Sequence, residues 1–95
     1  MIYVQASIKL RPGKLPDFIA LMKSVIPVIG KHGWKLIGSY SAVVGRFHTV
    51  LDLWELPEAN AIAAALGDPA FEEFAPRIAE IIEDETLTVL TKLPI

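Results

Sequence analysis

Two runs rich in β-branched and aromatic residues, Trp34–Val44 and Phe47–Glu55, flank the dipeptide Gly45-Arg46 and constrain the chain more than any other feature. Runs of this kind around a two-residue turn with Gly first predict a long β-hairpin. With that turn Val44 faces Phe47, and the register pairs Val43 with His48, Tyr40 with Leu51, Ser39 with Asp52 and Ile37 with Trp54. The hairpin then has two faces. One carries Trp34, Leu36, Tyr40, Phe47, Leu51 and Leu53 and is expected to be the core. The other mixes Ile37, Val43, Val50 and Trp54 with Lys35, Ser39, Ser41, His48 and Asp52, and is expected to look toward a second subunit.

The remaining segments supply what would cover this hairpin. From Ile2 to Leu10 apolar residues alternate with Tyr3, Gln5, Ser7 and Lys9, a strand with one oily face. Arg11-Pro12-Gly13-Lys14 carries turn residues, and Pro16 and Asp17 suit the first turn of a helix whose stripe is Phe18, Met22, Val25 and Ile29. Pro27 predicts a kink or an end near Val25 or Ile26, with Lys31-His32-Gly33 as the exit. A short Ala-rich helix is expected over Glu58–Leu66, closed by Gly67. Asp68 then caps a further helix with Pro69 at its first position and a stripe of Phe71, Phe74, Ile78, Ile81 and Ile82. The acidic run Glu80–Glu85 reads as a solvated helix end, and Thr86–Thr91 as the last strand.

Strand, helix, two strands, helix pair and strand make an α+β chain of the ferredoxin-like split βαβ type, with a four-stranded antiparallel sheet covered by helices on one face. Apolar residues make up 53% of the 95 and charged ones only 21%, more oil than so small a body hides alone. The surplus predicts either a cavity or a homodimer in which two sheets pack into a dimeric α/β barrel.

The net charge of −2, without a basic cluster, argues against a nucleic-acid partner. The chain has no cysteine, which excludes thiolate chemistry and disulfides. Two isolated histidines offer no metal site, and no phosphate loop, nucleophile elbow or dinucleotide fingerprint calls for a cofactor. Apolar stretches are too short for a membrane span. Strand-like sequence begins at Ile2, so a cleaved leader is not expected and a cytoplasmic location is.

Several segments, in this order and spacing, resemble the NIPSNAP family: Met1-Ile2-Tyr3, Leu10 to Phe18, Lys31-His32-Gly33, Lys35-Leu36-Ile37-Gly38, Gly45, Leu53-Trp54-Glu55, and Asp68 to Phe74. The resemblance covers most of residues 1–95 and implies one domain of the dimeric α+β barrel superfamily. It also shows departures, since Val4 and Ala6 stand where such domains often carry Glu and Arg, and His48 and Asp52 where they often carry Asn and His. The family implies no defined activity. The wider superfamily implies cofactor-independent monooxygenases, lactone isomerases and haem-binding proteins, by fold alone.

Among the residues themselves, His48 is the candidate acid or base because imidazole titrates near neutrality. Asp52 shares its strand face, roughly 13 Å along, so the two would border opposite ends of one cavity. Ser39 and Ser41 would hydrogen-bond a substrate, Trp54 and Tyr40 would stack on it, and His32 would lie nearby. The plainer reading makes these polar contacts across a barrel interface, core aromatics, and a helix-capping His32. Two functions follow: binding or cofactor-free oxygenation or isomerisation of a hydrophobic small molecule, or a non-catalytic interaction module. Haem binding is a third.

Overall fold

The computed structural model describes all 95 residues. Strand β1 (Ile2–Leu10) leads through the Arg11–Lys14 turn into helix α1 (Leu15–Gly30). Strands β2 (Lys35–Ser41) and β3 (Thr49–Leu56) form the hairpin, followed by α2 (Asn60–Leu66), α3 (Pro69–Glu73), α4 (Ala75–Ile81) and β4 (Ile82–Leu90). The strands make one antiparallel sheet in the order β2-β3-β1-β4, the ferredoxin-like split βαβ arrangement expected.

The alternation of β1 is expressed directly. Val4, Ala6, Ile8 and Leu10 are buried under the helices, and the intervening side chains face the uncovered side of the sheet. Helix α1 presents Phe18, Leu21, Val25 and Ile29 to the sheet, with Met22 only half-buried. It also runs through Pro27 to Gly30 and does not end near Val25. Val25 and Ile29 on either side are buried while Pro27 is exposed, so packing of the last turn offsets the hydrogen bond that Pro27 cannot make. Gly33 follows at φ +87, where an added Cβ would lie 2.9 Å from the Pro57 ring, so both its dihedral and its neighbour demand glycine.

The hairpin departs from expectation in three ways. First, it has no two-residue turn: the strands separate after Ser41, and 42–48 form a longer loop closed by Ala42 N–H donating to Thr49 O at 2.9 Å. Val43 and Val44 are 97% and 92% exposed, so extending the ladder would bury nothing. His48 adopts φ +57, and its carbonyl accepts from Leu10 N–H at 2.7 Å, drawing it toward β1 and out of the pairing predicted with Val43. Second, Ser39 pairs with Asp52 and Tyr40 with Leu51 as expected, but the register shifts between Leu36 and Gly38, so Trp54 faces Leu36 and Ile37 is the extra residue.

Third, the two faces are exchanged along β3 and along β2 beyond the bulge, while Trp34 and Leu36, ahead of it, pack with the core as expected. Val50, Asp52, Trp54 and Leu56 lie under the helices, whereas Tyr40 and Leu51, expected in the core, lie on the uncovered face. The mixed face therefore looks toward the helices of its own chain. The pairing partners explain the exchange: Asp52 sits opposite Ala6 and Trp54 opposite Val4, both on the oily side of β1, and adjacent strands share their faces.

The C-terminal third also differs. Asp68 does cap α3, accepting from Ala70 N–H at 2.9 Å with Pro69 in the first turn. Pro76, however, has no N–H to donate back to Glu72, and the helix breaks at Phe74 into α3 and α4. The end of α4 is held by Arg11, whose N–H donates to Ile81 O at 2.9 Å and whose guanidinium donates to Ala79 O at 3.1 Å. Ile82 to Glu85, expected as helix, belong to β4. No helix is long and apolar enough to cross a membrane.

Candidate functional site

Between the covered sheet face and the helices lies a cavity of about 280 Å³. Its floor is Ala6 and Ile8 of β1, Asp52 and Trp54 of β3, and Glu85 and Leu87 of β4. Helix α1 supplies one wall through Phe18, Leu21, Met22, Val25 and Ile29; Leu66 of α2, Phe71 of α3 and Ile78 of α4 supply the other. Fifteen of its 17 lining residues are hydrophobic, and the two exceptions, Asp52 and Glu85, are both acids.

Asp52 is 1% exposed, the sole polar or charged residue among those fully buried. Ser39, opposite it on β2, donates its hydroxyl to Asp52 Oδ1, and no other side chain hydrogen-bonds to the carboxyl. Burial pushes the Asp52 pKa above the usual carboxylate value, and the Ser39 bond opposes that shift. The carboxyl is thus disposed to hold a proton that a surface aspartate would release.

Glu85 stands on the edge strand, exposed along part of its surface while bordering the cavity, and so marks the mouth. Its pKa is also raised, first by desolvation and then by the charge of Asp52. The two acids flank β1, Asp52 opposite Ala6 and Glu85 opposite Ile8. Two strand spacings set their backbones roughly 10 Å apart across the sheet, with a further two-residue offset along it.

Trp34 and Trp54 meet edge to face with centroids 5.6 Å apart, and both border the cavity. The Trp34 indole N–H is engaged by Ala61 O at 2.8 Å, which anchors α2 over the sheet.

Of the residues singled out in the sequence, the fold brings Asp52, Ser39 and Trp54 together and leaves four elsewhere. His48 sits in the 42–48 loop, on a shallow cleft with Lys9, Arg46 and Glu83, and does not border the cavity with Asp52. Its carbonyl, tied to β1, holds it there. His32 Nε2 lies 2.8 Å from Asp68 Oδ2, joining the exit of α1 to the cap of α3, and this bond is the main cause that holds the Asp68 carboxyl below its usual value. Tyr40 lies 58% exposed on the uncovered face with its ring against Gly38, and Ser41 ends β2 in an exposed position.

Glu85 is not among the residues the sequence singles out, because the acidic run Glu80–Glu85 reads as a helix end whereas Glu85 belongs to β4. Period-two alternation extending back from Val89 through Leu87 to Glu85 is the signal that places it on the covered face. No group of three His, Cys, Asp or Glu side chains is positioned to hold a metal ion.

Comparisons with known proteins match this architecture. A search of curated proteins finds no match. A NIPSNAP domain protein from Burkholderia xenovorans, itself uncharacterized, superposes with a TM-score of 0.83 at 21% identity over 99% of this chain and 96% of that one. A NIPSNAP family protein of unknown function from Agrobacterium tumefaciens gives 0.81 at 21% identity, over 97% and 87%. An antibiotic biosynthesis monooxygenase gives 0.76 at 14% identity, over 99% and 100%. At such identities these likenesses show the fold. The NIPSNAP family model itself matches residues 3–95, nearly the whole sequence, and the chain belongs to the NIPSNAP family.

Proposed function

We propose that the chain binds an apolar small molecule in the cavity between sheet and helices, with Asp52 as its polar anchor and proton-exchanging group. The observation that carries this reading is a carboxyl group 1% exposed at the floor of a cavity whose lining is otherwise almost wholly hydrophobic. A fold gains nothing by burying a lone acid, because desolvating it costs several kcal/mol unless it is neutralised or paired. A pocket with an apolar wall and one or two convergent polar groups is the usual form of a small-molecule site.

In this reading Ser39 fixes the carboxyl through Oδ1 and leaves Oδ2 to meet the ligand. Burial raises the Asp52 pKa in the empty cavity, which suits the carboxyl to exchange a proton with a bound carbonyl or activated carbon, the chemistry of isomerisation and related steps. His48, exposed on its loop, serves no such role here. Haem does not fit: no His, Cys or Tyr borders the cavity, and Met22 is there without the His that accompanies a Met ligand.

The test uses prodan, a two-ring naphthalene dye whose emission rises and moves to the blue in apolar surroundings. Saturable enhancement with quenching of Trp34 and Trp54 is expected, and Ala6→Phe or Met22→Trp, which fill the cavity, should abolish it while the circular dichroism spectrum is kept. Absence of binding, or binding indifferent to both substitutions, overturns the reading.

A second observation supports self-association. On the uncovered sheet face Tyr40 is 58% and Leu51 39% exposed, apolar surface that a second sheet packed face to face would cover in a homodimer. Light scattering at micromolar concentration is expected to give twice the chain mass of 10.4 kDa; a monomer contradicts it.

A further inference from the structure

Resting on the reading of the cavity as the ligand site, we infer that its ligand is an apolar amine, held by its ammonium head between Asp52 and Glu85, and that carboxylate ligands are rejected. Only two polar residues line the cavity, and both are acids; no Lys, Arg or His does. Lys9 and His32 are engaged by other acids, Lys9 by Glu83 at 2.9 Å and His32 by Asp68 at 2.8 Å.

Asp52 receives a single side-chain hydrogen bond, from Ser39 to Oδ1, and since no wholly buried side-chain polar atom is left without a partner, Oδ2 keeps its accessible surface toward the cavity. Buried carboxylates are ordinarily met by a cation or by several N–H groups. Here the protein supplies neither, and the position is open to a donor from the ligand.

The two acids also frame the head group from different sides. Asp52 lies on β3 and Glu85 on β4, with Ala6 and Ile8 of β1 forming a small apolar floor between them. An ammonium group between the two has three protons to distribute and favours the ionised form of both carboxyls, which burial disfavours in the empty cavity. A carboxylate in the same place would oppose that ionisation and meet no cation of the protein. A neutral alcohol would make one bond and leave the carboxyl pair uncompensated. The rest of the molecule meets Trp54, Trp34, Phe18 and Leu21, which suits an aromatic or branched hydrocarbon body. The cavity of about 280 Å³ limits that body to roughly one or two rings.

The test compares three probes with the same body, 1-naphthylmethylamine, 1-naphthylmethanol and 1-naphthoate, by calorimetric titration of the intact protein at pH 7. The amine is expected to bind about tenfold tighter than the alcohol, as one charge-assisted contact provides, and the carboxylate more weakly than either. In Asp52→Asn, which keeps the shape of the side chain, the advantage of amine over alcohol should shrink, and in Glu85→Gln, at the exposed mouth where folding is little at risk, it should fall by a smaller factor. An amine no tighter than the alcohol, a carboxylate as tight as the amine, or an advantage undiminished in both variants overturns the inference while leaving the cavity a ligand site. Failure of all three probes to bind removes the cavity reading and this inference together.

Discussion

Each face of the sheet carries residues that its position would not suggest. Under the helices, β3 places Asp52 among Val50, Trp54 and Leu56; on the uncovered side the same hairpin shows Tyr40 and Leu51 to solvent. A domain stabilised by burial alone would put its leucines inside and its aspartate outside. The difference is what the proposed ligand site on the covered face and the proposed self-association through the open face would each account for.

The largest effect that probes this contrast is a truncation on the covered side. Trp54→Ala should cost about 3–5 kcal/mol of unfolding free energy, whereas Leu51→Ala, at a half-open position, should cost about 1 kcal/mol in a monomer. Urea denaturation of both variants checks the pair, and equal losses would erase the distinction between the faces. Next in size is the behaviour of Leu51→Asp. It should convert the proposed dimer to a folded monomer, seen as a halved mass in light scattering with the far-ultraviolet spectrum kept; an unchanged dimer would locate the contact elsewhere.

The pH dependence of stability separates the faces more finely. Because the folded-state pKa of Asp52 is raised, the native protein binds more protons than the unfolded chain just above the ordinary Asp value of 3.8. The contribution of Asp52 is therefore complete below that pH and is lost as pH rises through the folded value. Asp52→Asn should flatten this decline, raising the melting temperature at pH 8 by a few degrees relative to its effect at pH 3.5. A variant equally shifted at both would mean an Asp52 with no raised pKa.

The smallest expected effect lies outside the sheet. Asp68→Ala removes both the cap on Ala70 N–H and the partner of His32, and should cost about 1 kcal/mol. Binding of the naphthyl probes should persist, since neither residue borders the cavity.

Much of the fold was legible in the sequence because its signals are local. The alternation Ile2–Leu10, the first-turn Pro16 and the Asp68-Pro69 cap are each read from a few adjacent residues, and the strand order follows from their sequence. What was not legible depends on partners distant in the chain. Which face of the hairpin is covered is decided by Asp52 pairing with Ala6, 46 positions away by number, and the apolar content of each face pointed the other way. The break at Phe74 was legible in Pro76 and was passed over.

The site was half legible for the same reason. Ser39 and Asp52 were paired correctly from the hairpin register, even though the turn was longer than expected, because the register survives from Gly38 onward. His48 was drawn toward Asp52 only by assuming that the ladder runs to the turn, and its positive φ removes it from the strand. Glu85 became visible only with β4 beginning at Ile82.

The carboxyl ¹³C resonance of Asp52, followed through a pH titration with and without 1-naphthylmethylamine, tests most directly whether the covered face holds a ligand site. A midpoint above the ordinary value of 3.8 in the free protein, displaced when the amine saturates the cavity, is the predicted result. A carboxyl that titrates at the ordinary value and is unmoved by the amine would contradict it.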